Sequence, residues 1–256
     1  MNNKVCNRRD ELLGVDFNTN NGGKCFVIDY RGNKDITVMF YNPIAVVKCR
    51  LDNLKKGVVK NPYCPTLFGA GYTGVGKYGY SDRAYHVWKG VIERSFSISY
   101  KERFPSCKDV TVCKEWLDFQ NFAAWFYKQE FHKEKDQKGR VYQVDKDVLL
   151  KGNKIYSPDT CCFIPPELNI LLASSGATRG LFPLGVHQHQ SKRFYATLRK
   201  FGKSVCLGYF NTPEEAFRAY KKAKEAHIKL LAEKWKGKID DKVHEALLEW
   251  KIEITD

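Results

Sequence analysis

The chain has 256 residues, of which 43% are hydrophobic and 14% aromatic, a composition that supplies packed cores and excludes a disordered tail. Lys and Arg number 43 against 29 Asp and Glu, so the formal net charge of +14 favours a polyanionic partner such as a nucleic acid. No apolar run is long enough to span a bilayer, and residues 1–9 lack the pattern of a signal peptide.

Nine cysteines are scattered along the chain, and no two of them have the Cys-x-x-Cys spacing of a zinc site. An odd number of scattered thiols is typical of reduced and mostly buried cysteines. Together with the lack of a membrane segment, this cysteine usage predicts a cytoplasmic protein without a membrane partner.

The first part of the chain, residues 1–68, has the pattern of short strands and tight turns. Two β-rich runs, 25–30 and 36–41, flank a Gly- and Asn-containing turn, which predicts a hairpin. A third alternating run covers 46–54. We expect a small twisted β-barrel here. A glycine-rich linker over 69–79 follows, and we expect it to lie along a surface such as a nucleic-acid backbone.

Residues 80–173 form a second predicted domain, of mixed helices and strands. We expect one helix over 85–96 and another over 113–130, where aromatic residues recur at helical spacing and predict a core stripe rather than a cofactor site. The charged run 131–140 predicts a solvated loop. A strand over 141–149 follows, and a Pro-Pro pair then opens a short helix.

Several polar residues of this domain resemble the end of an HNH nuclease motif: Val144-Asp-Lys-Asp147, then Asn153, then the turn Pro166-Glu-Leu-Asn169. The resemblance covers about residues 80–172, and it is to phage proteins of the HNH homing-endonuclease class. It implies that Asp145 holds a divalent metal. HNH chemistry also needs a histidine that deprotonates water and an amide or second histidine as a further metal ligand.

This chain departs from that motif at the base. Lys146 stands where the histidine is expected, and Thr160 or Cys161 stands where the ligand asparagine is expected. An ammonium group is protonated at neutral pH and cannot accept a proton unless it is strongly desolvated. The sequence therefore predicts a degenerate HNH centre that lacks normal catalysis.

An active centre is the alternative. In it, His132 replaces Lys146 as the base, while Asp145 and Asp147 share one face of a strand and bind magnesium. A third interpretation makes both aspartates ordinary surface acids paired to neighbouring lysines. No cofactor is expected unless the centre is active, in which case it is Mg²⁺.

A small-residue linker over 174–181 leads to a third predicted domain, 182–256, with three strands and C-terminal helices. The runs 184–189 and 193–199 alternate apolar and polar residues, and 204–210 gives the third strand. Thr212-Pro-Glu-Glu215 is a capping box with proline at the first helical position, so a helix begins there.

The alternation assigns the two faces of this sheet. Val186, Phe194, Ala196, Leu198, Val205 and Leu207 are expected to face the helix, and His187, His189, Arg193, Tyr195, Thr197 and Arg199 to face solvent. Between Pro183 and Pro213 the chain has five Lys or Arg and no acidic residue. A basic three-stranded sheet fits the major groove of duplex DNA.

These strands, with Leu207-Gly-Tyr-Phe-Asn-Thr-Pro-Glu-Glu-Ala216 after them, resemble the APETALA/ethylene-response-factor DNA-binding domain. The resemblance implies base contacts from the first two strands, and histidines here replace two of the family's arginines, which changes the expected target sequence. The predicted DNA-binding residues are His187, His189, Arg193, Phe194, Tyr195, Thr197, Arg199 and Lys203.

The whole sequence thus predicts a multi-domain α+β protein of phage type that binds double-stranded DNA with sequence preference in a host cytoplasm or nucleoid. Two alternatives stay open. One is a metal-dependent HNH homing endonuclease, and the other is an interaction factor that binds RNA or a host protein.

Overall fold

The computed structural model of the chain describes residues 8–20, 23–173 and 181–256. They form a mixed α+β structure that divides into two compact units. The first unit contains the described residues up to Ser97 together with Val112–Trp125, and the second contains Ile98–Thr111 and Phe126–Asp256. No helix in these residues is long and apolar enough to cross a membrane, and their eight cysteines form no disulfide.

The α-helices are α1 (Arg8–Leu12), α2 (Leu51–Lys55), α3 (Arg83–Phe96), α4 (Ile98–Arg103), α5 (Phe119–Lys128), α6 (Pro166–Leu172), α7 (Pro213–Trp235) and α8 (Asp241–Glu249). The strands are β1 (Asp16–Thr19), β2 (Gly23–Gly32), β3 (Asp35–Tyr41), β4 (Ile44–Cys49), β5 (Thr111–Val112), β6 (Gln143–Asp145), β7 (Ile155–Tyr156), β8 (Cys162–Ile164), β9 (Val186–Gln188), β10 (Phe194–Lys200) and β11 (Lys203–Phe210). Short 3₁₀ helices cover Pro105–Cys107, Lys114–Leu117 and Glu130–Lys133.

The first unit contains an antiparallel sheet in the order β1-β2-β3-β4. The predicted hairpin is confirmed, because β2 and β3 pair up to Gly32 opposite Asp35. The predicted barrel is wrong: within the described residues β1 and β4 are open edges. The third run also changes character after Cys49, where the chain enters α2 and buries Leu51 and Leu54 in the core beneath the sheet. This helix covers apolar surface that further strands would cover in a barrel.

The glycine-rich segment 69–79 lies against its own chain. The side-chain amide of Gln120 donates hydrogen bonds to the carbonyls of Thr73 and Tyr78, at 3.0 Å each. A Cβ atom at Gly74 or Gly76 would overlap Asp118 or Gln120, so glycine permits this close approach. The surface that the segment follows is therefore part of the first unit.

Aromatic residues form the other core of the first unit, as the helical spacing predicts. Trp88, Val91 and Ile92 of α3 are buried, as are Trp116 and Phe119. The indole N–H of Trp88 donates to the Trp116 carbonyl at 2.7 Å, which satisfies a buried donor. The predicted second helix begins later than expected, with a 3₁₀ turn first and α5 after it.

In the second unit, β6 and β8 pair as antiparallel strands, with Asp145 opposite Cys162, and α6 follows β8. The predicted strand over 141–149 is only three residues long, because the chain turns at Asp145. The carboxylate of Asp145 accepts the backbone N–H groups of Asp147 and Val148. The two strands and the helix thus come from neighbouring parts of the chain.

The charged stretch 131–140 is mostly exposed, as expected for a solvated loop, but it departs from that expectation at its start and at Asp136. Its first residues lie in the 3₁₀ helix that ends at Lys133, and a turn follows. Asp136 is buried in that turn and accepts hydrogen bonds from the Lys138 N–H and from the backbone and guanidinium of Arg140. Burial acts to raise the pKa of Asp136, but these hydrogen bonds together lower it.

The last part of the second unit is a three-stranded antiparallel sheet in the order β11-β10-β9, here called the C-terminal sheet, and α7 packs on it. The predicted capping box is confirmed. The Thr212 side chain accepts the Glu215 N–H, and the Glu215 carboxylate accepts the Thr212 N–H. These reciprocal bonds fix the start of a 23-residue helix.

The two units group the chain differently from the sequence-based domains. Residues 126–173 share a unit with the C-terminal sheet, and several hydrogen bonds join them: the Tyr142 hydroxyl donates to the Lys238 carbonyl, and Lys224 Nζ donates to the Leu171 carbonyl. The predicted linker 174–181 lies outside the described residues except for Leu181. The sequence-based boundaries therefore stay predictions.

Candidate nucleic-acid interface

The C-terminal sheet has one covered and one open face. Val186 of β9 and Ala196 and Leu198 of β10 are buried, as are Phe217 and Tyr220 of α7, which packs on this side. The side chains that alternate with them on β9 and β10 point away from the helix. The sheet therefore presents its other side, here called the outward face, to solvent.

Aromatic rings form a row across the outward face, here called the aromatic row: His187, Tyr195, Tyr209 and His189. His187 lies opposite Tyr195 in the strand register, and Tyr195 lies opposite Tyr209. Ring centroids are 5.1 Å apart for His187 and Tyr195 and 5.8 Å apart for the two tyrosines. The His189 ring lies 5.6 Å from that of Tyr209. Each of the three strands thus contributes one ring, His189 directly after β9 adds a fourth, and the rings form one continuous set.

Hydrogen bonds hold the two histidines in place. His187 Nε2 lies 2.9 Å from the Thr197 hydroxyl on the neighbouring strand. His189 Nδ1 accepts the Ser191 backbone N–H at 3.2 Å and lies 2.9 Å from the Ser191 hydroxyl. Each imidazole therefore keeps its second nitrogen for an external partner, and the ring orientation is set before a partner binds.

Cations flank the aromatic row. Arg193 is exposed and donates a weak hydrogen bond from its terminal nitrogen to the Tyr209 carbonyl at 3.4 Å. Arg199 is exposed at the other end of β10, and its Nε donates to the Gly202 carbonyl at 3.4 Å. Lys203 is exposed at the start of β11. Because no acidic residue lies between Pro183 and Pro213, the side-chain charge that this stretch contributes to the face is entirely positive.

Two expectations for this sheet are not met: Phe194 faces the helix as alternation predicts but is not placed for DNA contact, and Val205 is exposed although it was expected to face the helix. Phe194 is half-buried on the helix-facing side of β10, where its ring is 5.2 Å from that of Phe182, so it belongs to the covered face. Val205 pairs with the buried Leu198, yet it is exposed because it lies on the edge strand β11. Neither residue is part of the aromatic row.

Sequence alternation missed Tyr209. Along β11 a strict period of two places Tyr209 on the same side as Val205. A β-bulge changes this period: Thr197 pairs with Cys206, but the preceding Ala196 pairs with Gly208. Gly208 has a φ of 131°, a conformation that glycine adopts readily. The glycine in the middle of a strand was the available indication of a bulge.

The two aspartates and the lysine that resemble the HNH motif lie at the end of β6 and in the turn after it. The strand ends at Asp145, so Asp145 and Asp147 do not share a face by strand alternation. Their carboxyl groups nevertheless interact, and burial together with the negative charge of Asp147 raises the pKa of Asp145 to about 6. Lys146 Nζ donates to the Asp147 carboxylate at 3.0 Å, and its ammonium lies 5.8 Å from the centre of the Tyr156 ring.

This arrangement does not fit a divalent metal. Asp145 already uses Oδ1 to accept two backbone N–H groups, and Asp147 already pairs with the ammonium of Lys146. A metal bound by both carboxylates would stand beside that positive charge. In residues 8–20, 23–173 and 181–256, no group of three or more His, Cys, Asp or Glu is placed to hold a metal ion.

The other residues of the predicted centre have structural partners. The Asn153 side chain donates to the Lys146 carbonyl at 2.7 Å, which closes the turn, and the Thr160 hydroxyl donates to the Ile155 carbonyl at 2.9 Å. Burial raises the pKa of the Cys161 thiol to about 12, so it is neutral at neutral pH. None of the three presents a charged ligand at neutral pH.

His132, the predicted substitute base, lies in the 3₁₀ helix before the turn of Asp136. Its Nδ1 is 2.6 Å from the Gln129 carbonyl, which makes Nδ1 the protonated nitrogen. Its ring packs against the rings of Phe126 and Tyr127, at 5.9 and 5.5 Å between centroids. The residue is thus part of a packed aromatic cluster rather than of a mobile charged loop.

Comparisons with protein-family models, with curated proteins and with solved structures gave no match for this chain. The residues of the outward face and of the turn after β6 are therefore the basis for a functional proposal.

Proposed function

We propose that this protein binds double-stranded DNA with sequence preference, through the outward face of the C-terminal sheet. The observation that carries the proposal is the combination on one face of four aromatic rings and flanking cations, within a stretch that has no acidic residue. Aromatic, imidazole and hydroxyl groups suit base edges and sugars, and arginines and lysines suit guanine edges and phosphates.

The dimensions of the sheet support a major-groove position. A short antiparallel sheet with one covered face can enter a groove about 12 Å wide, as other β-sheet DNA readers do. Thr197 and Tyr195 lie on the central strand β10, where base contacts are expected. Arg193 and Lys203 lie at the two ends of the sheet, where phosphates of the two strands are expected to pass.

We also propose that the turn after β6 is a structural remnant of an HNH centre and leaves bound DNA uncut. Support comes from the positions of Lys146 and Asp147. The ammonium that replaces the expected base is engaged with the carboxylate that would bind the metal. The local order of two antiparallel strands and a helix is the arrangement in which such a centre would be built, and the side chains needed for water activation are engaged in other contacts.

Selection from a random pool of duplex DNA tests both proposals. The full chain is incubated with the pool, bound molecules are recovered over several rounds, and the products are examined for strand breaks with and without Mg²⁺. The expected result is an enriched sequence and intact strands. No enrichment over the starting pool would contradict sequence-preferring binding. Magnesium-dependent breaks abolished by Asp145→Ala would show instead that the endonuclease alternative holds.

Competition between duplex DNA and RNA distinguishes duplex binding from the interaction-factor alternative. A labelled duplex of the selected sequence is challenged with the unlabelled duplex and with structured RNA of equal length. The duplex is expected to compete at much lower concentration than the RNA. If RNA competes better, the interaction-factor alternative takes the place of the duplex-binding proposal.

A further inference from the structure

A groove of about 460 Å³, here called the basic groove, lies in the first unit at the open edge of its sheet. Its walls come from the turn between β2 and β3, from the end of β4, from α2 and from the residues that follow α2. The outward face and the turn after β6 belong to the second unit, so the basic groove is a separate surface.

The charge of the basic groove is mainly positive. Its walls contain four cations and one acid: Lys34, Lys48, Arg50 and Lys60 against Asp35. Arg50 pairs with Asp52 through Nε, at 3.0 Å. In the part of the chain that the structure describes, none of the three lysine ammoniums forms an ion pair. These uncompensated charges favour a polyanion.

Lys60 connects the basic groove to an exposed aromatic ring. Its ammonium lies 5.8 Å from the centre of the Tyr80 ring, and Tyr80 is 56% exposed. The Tyr85 ring meets the Tyr80 ring edge-on, with 4.9 Å between the centroids. A cationic groove that leads to an accessible aromatic ring is the combination with which proteins hold single-stranded nucleic acids.

Another exposed tyrosine of the same unit shows what distinguishes Tyr80. Tyr41 is 50% exposed, and the Lys24 ammonium lies 5.9 Å from the centre of its ring. At that place the Asp16 carboxylate accepts from both the Lys24 ammonium and the Tyr41 hydroxyl, so the lysine is neutralised. Lys60 has no such acid beside it, and its charge is available to a phosphate.

The segment that leads to Tyr80 is fixed by hydrogen bonds. The Tyr78 N–H donates to Gln120 Oε1 at 3.2 Å, and the Gln120 amide donates to the Tyr78 carbonyl at 3.0 Å. The Gly79 N–H donates to the Asp82 carboxylate at 2.5 Å. The chain on either side of Tyr80 is therefore ordered before a ligand binds, which lowers the cost of ordering on binding.

The sequence around the basic groove has the same bias. From Asn53 to Ser81 the chain has four lysines, four tyrosines and no acidic residue. Such a stretch fits nucleic acid, and the exposed ring favours a single strand over a duplex. In a duplex both faces of a base are covered by its neighbours, so only an unpaired base is free to stack on Tyr80.

We propose that the first unit binds single-stranded DNA, with the phosphates in the basic groove and one base stacked on Tyr80. Lys60 lies between the two parts of the site and pairs with the phosphate next to the stacked base. The single-strand site stands on the first unit alone. Only the choice of DNA over RNA rests on the proposed duplex binding, because the cations of the groove suit the phosphates of either.

Fluorescence anisotropy of the full chain with a labelled oligothymidylate of about 12 nucleotides tests the proposal. Saturable binding is expected. Tyr80→Leu is expected to weaken it roughly five- to hundredfold, because the stacked base loses its aromatic partner. Tyr80→Phe keeps the ring and is expected to bind within roughly twofold of the unaltered protein. Absence of saturable binding, or equal losses in the two variants, would overturn the proposal.

Matched variants locate the site. Tyr41→Leu removes a ring of similar exposure beside a lysine and is expected to leave the affinity unchanged. Lys48→Gln removes a cation of the basic groove and is expected to weaken binding roughly two- to fivefold at low salt. Lys24→Gln removes the same charge from the same unit outside the groove and is expected to have no effect. Losses in the Tyr41 and Lys24 variants as large as those in the Tyr80 and Lys48 variants would overturn the proposed position.

Two further comparisons separate this proposal from duplex binding by the outward face. Arg193→Ala is expected to bind oligothymidylate like the unaltered protein, whether or not any duplex is selected. If Arg193→Ala loses the single strand and Tyr80→Leu does not, the outward face binds it and the groove proposal fails, while duplex binding stands. An oligouridylate RNA of the same length is expected to bind no more tightly than oligothymidylate. Tighter binding of the RNA would overturn the choice of DNA.

Discussion

The rings of Tyr195 and Tyr209 lie 5.8 Å apart on neighbouring strands of the C-terminal sheet, at an interplanar angle of 41°. Tyr209 is 52% exposed, so its hydroxyl and one face of its ring remain available to a partner. We expect Tyr209→Leu to weaken duplex binding by about 1–2 kcal/mol, since it removes one hydrogen bond and one aromatic contact. Fluorescence anisotropy with the selected duplex measures the change.

Val205 provides the matched control for that substitution. It lies on the same strand and is 42% exposed, but it pairs with the buried Leu198 and not with a residue of the aromatic row. Val205→Ala is expected to leave the affinity unchanged. If the two variants lose affinity equally, the outward face has no special role in binding.

Arg193 is expected to contribute to the choice of bases. Arg193→Ala should weaken binding to the selected duplex by about 1–3 kcal/mol and relax the preference at a subset of positions. Arg31→Ala is the control, because it removes the same charge from an exposed position in the first unit. Repeating the selection with each variant measures the preference, and an unchanged enriched sequence for Arg193→Ala would contradict base contact by this residue.

Salt dependence reports the number of phosphates that the protein neutralises. Because the outward face is flanked by cations, the logarithm of the binding constant should fall steeply as the logarithm of salt concentration rises. Lys203→Gln should flatten that slope by about one unit, since Lys203 is exposed at the start of β11, where a phosphate is expected. A slope near zero for the unaltered protein would contradict phosphate contact altogether.

Gly185 precedes β9 and touches the helix that covers the sheet. It has a φ of 74°, and a Cβ there would overlap the ring of the buried Tyr220. Gly202 has a similar φ of 82° but nothing within reach of a Cβ. Gly202→Ala is therefore expected to cost only backbone strain, about 1 kcal/mol, whereas Gly185→Ala should cost about 1–3 kcal/mol more. Urea unfolding compares them, and equal losses would show that Tyr220 yields without cost.

Local patterns predict the C-terminal sheet and its helix well. Each of the three strands overlaps its alternating run, and α7 begins where the capping box of Thr212 predicts, because both features depend on residues close together in sequence. The fold of the first unit is harder to predict from local patterns. Closure of a barrel depends on pairing between distant strands, which alternation does not encode. Leu51 and Leu54 continue an apolar run that alternation assigns to a strand. Their spacing of three also fits one face of a helix, and in the structure α2 buries both side chains in the core.

In the candidate interface, too, local patterns predict some residues and miss others. His187, Tyr195 and Thr197 are found from alternation alone, because β9 and β10 pair without interruption. Tyr209 depends on a bulge in β11, and the bulge follows from how that strand meets β10. The turn after β6 is a further case, since the hydrogen bonds of the Asp145 carboxylate end a strand that apolar patterning would extend.

Asp145 makes folding stability depend on pH. Burial and the negative charge of Asp147 raise its pKa from 3.8 to about 6 in the folded protein. The folded state therefore binds this proton more tightly than the unfolded state, and the group destabilises the fold as pH rises from about 4 to about 6. Asp145→Asn keeps Oδ1 as an acceptor for the two backbone N–H groups but carries no charge. It is expected to flatten this part of the curve and to raise the free energy of unfolding at pH 7 by about 1–3 kcal/mol.

Urea unfolding between pH 4 and pH 8 measures the effect, and Asp159→Asn is the control, because Asp159 is exposed in the same part of the chain. That control is expected to follow the pH dependence of the unaltered protein. The same variants also test the proposal that the turn after β6 is a remnant of a nuclease centre. A carboxylate kept for a metal would gain stability from added Mg²⁺ above pH 6, where it is ionised, and that gain would vanish in Asp145→Asn. We expect no such gain, because Lys146 already neutralises Asp147. A stabilisation by Mg²⁺ that depends on Asp145 would contradict the structural role assigned to this turn.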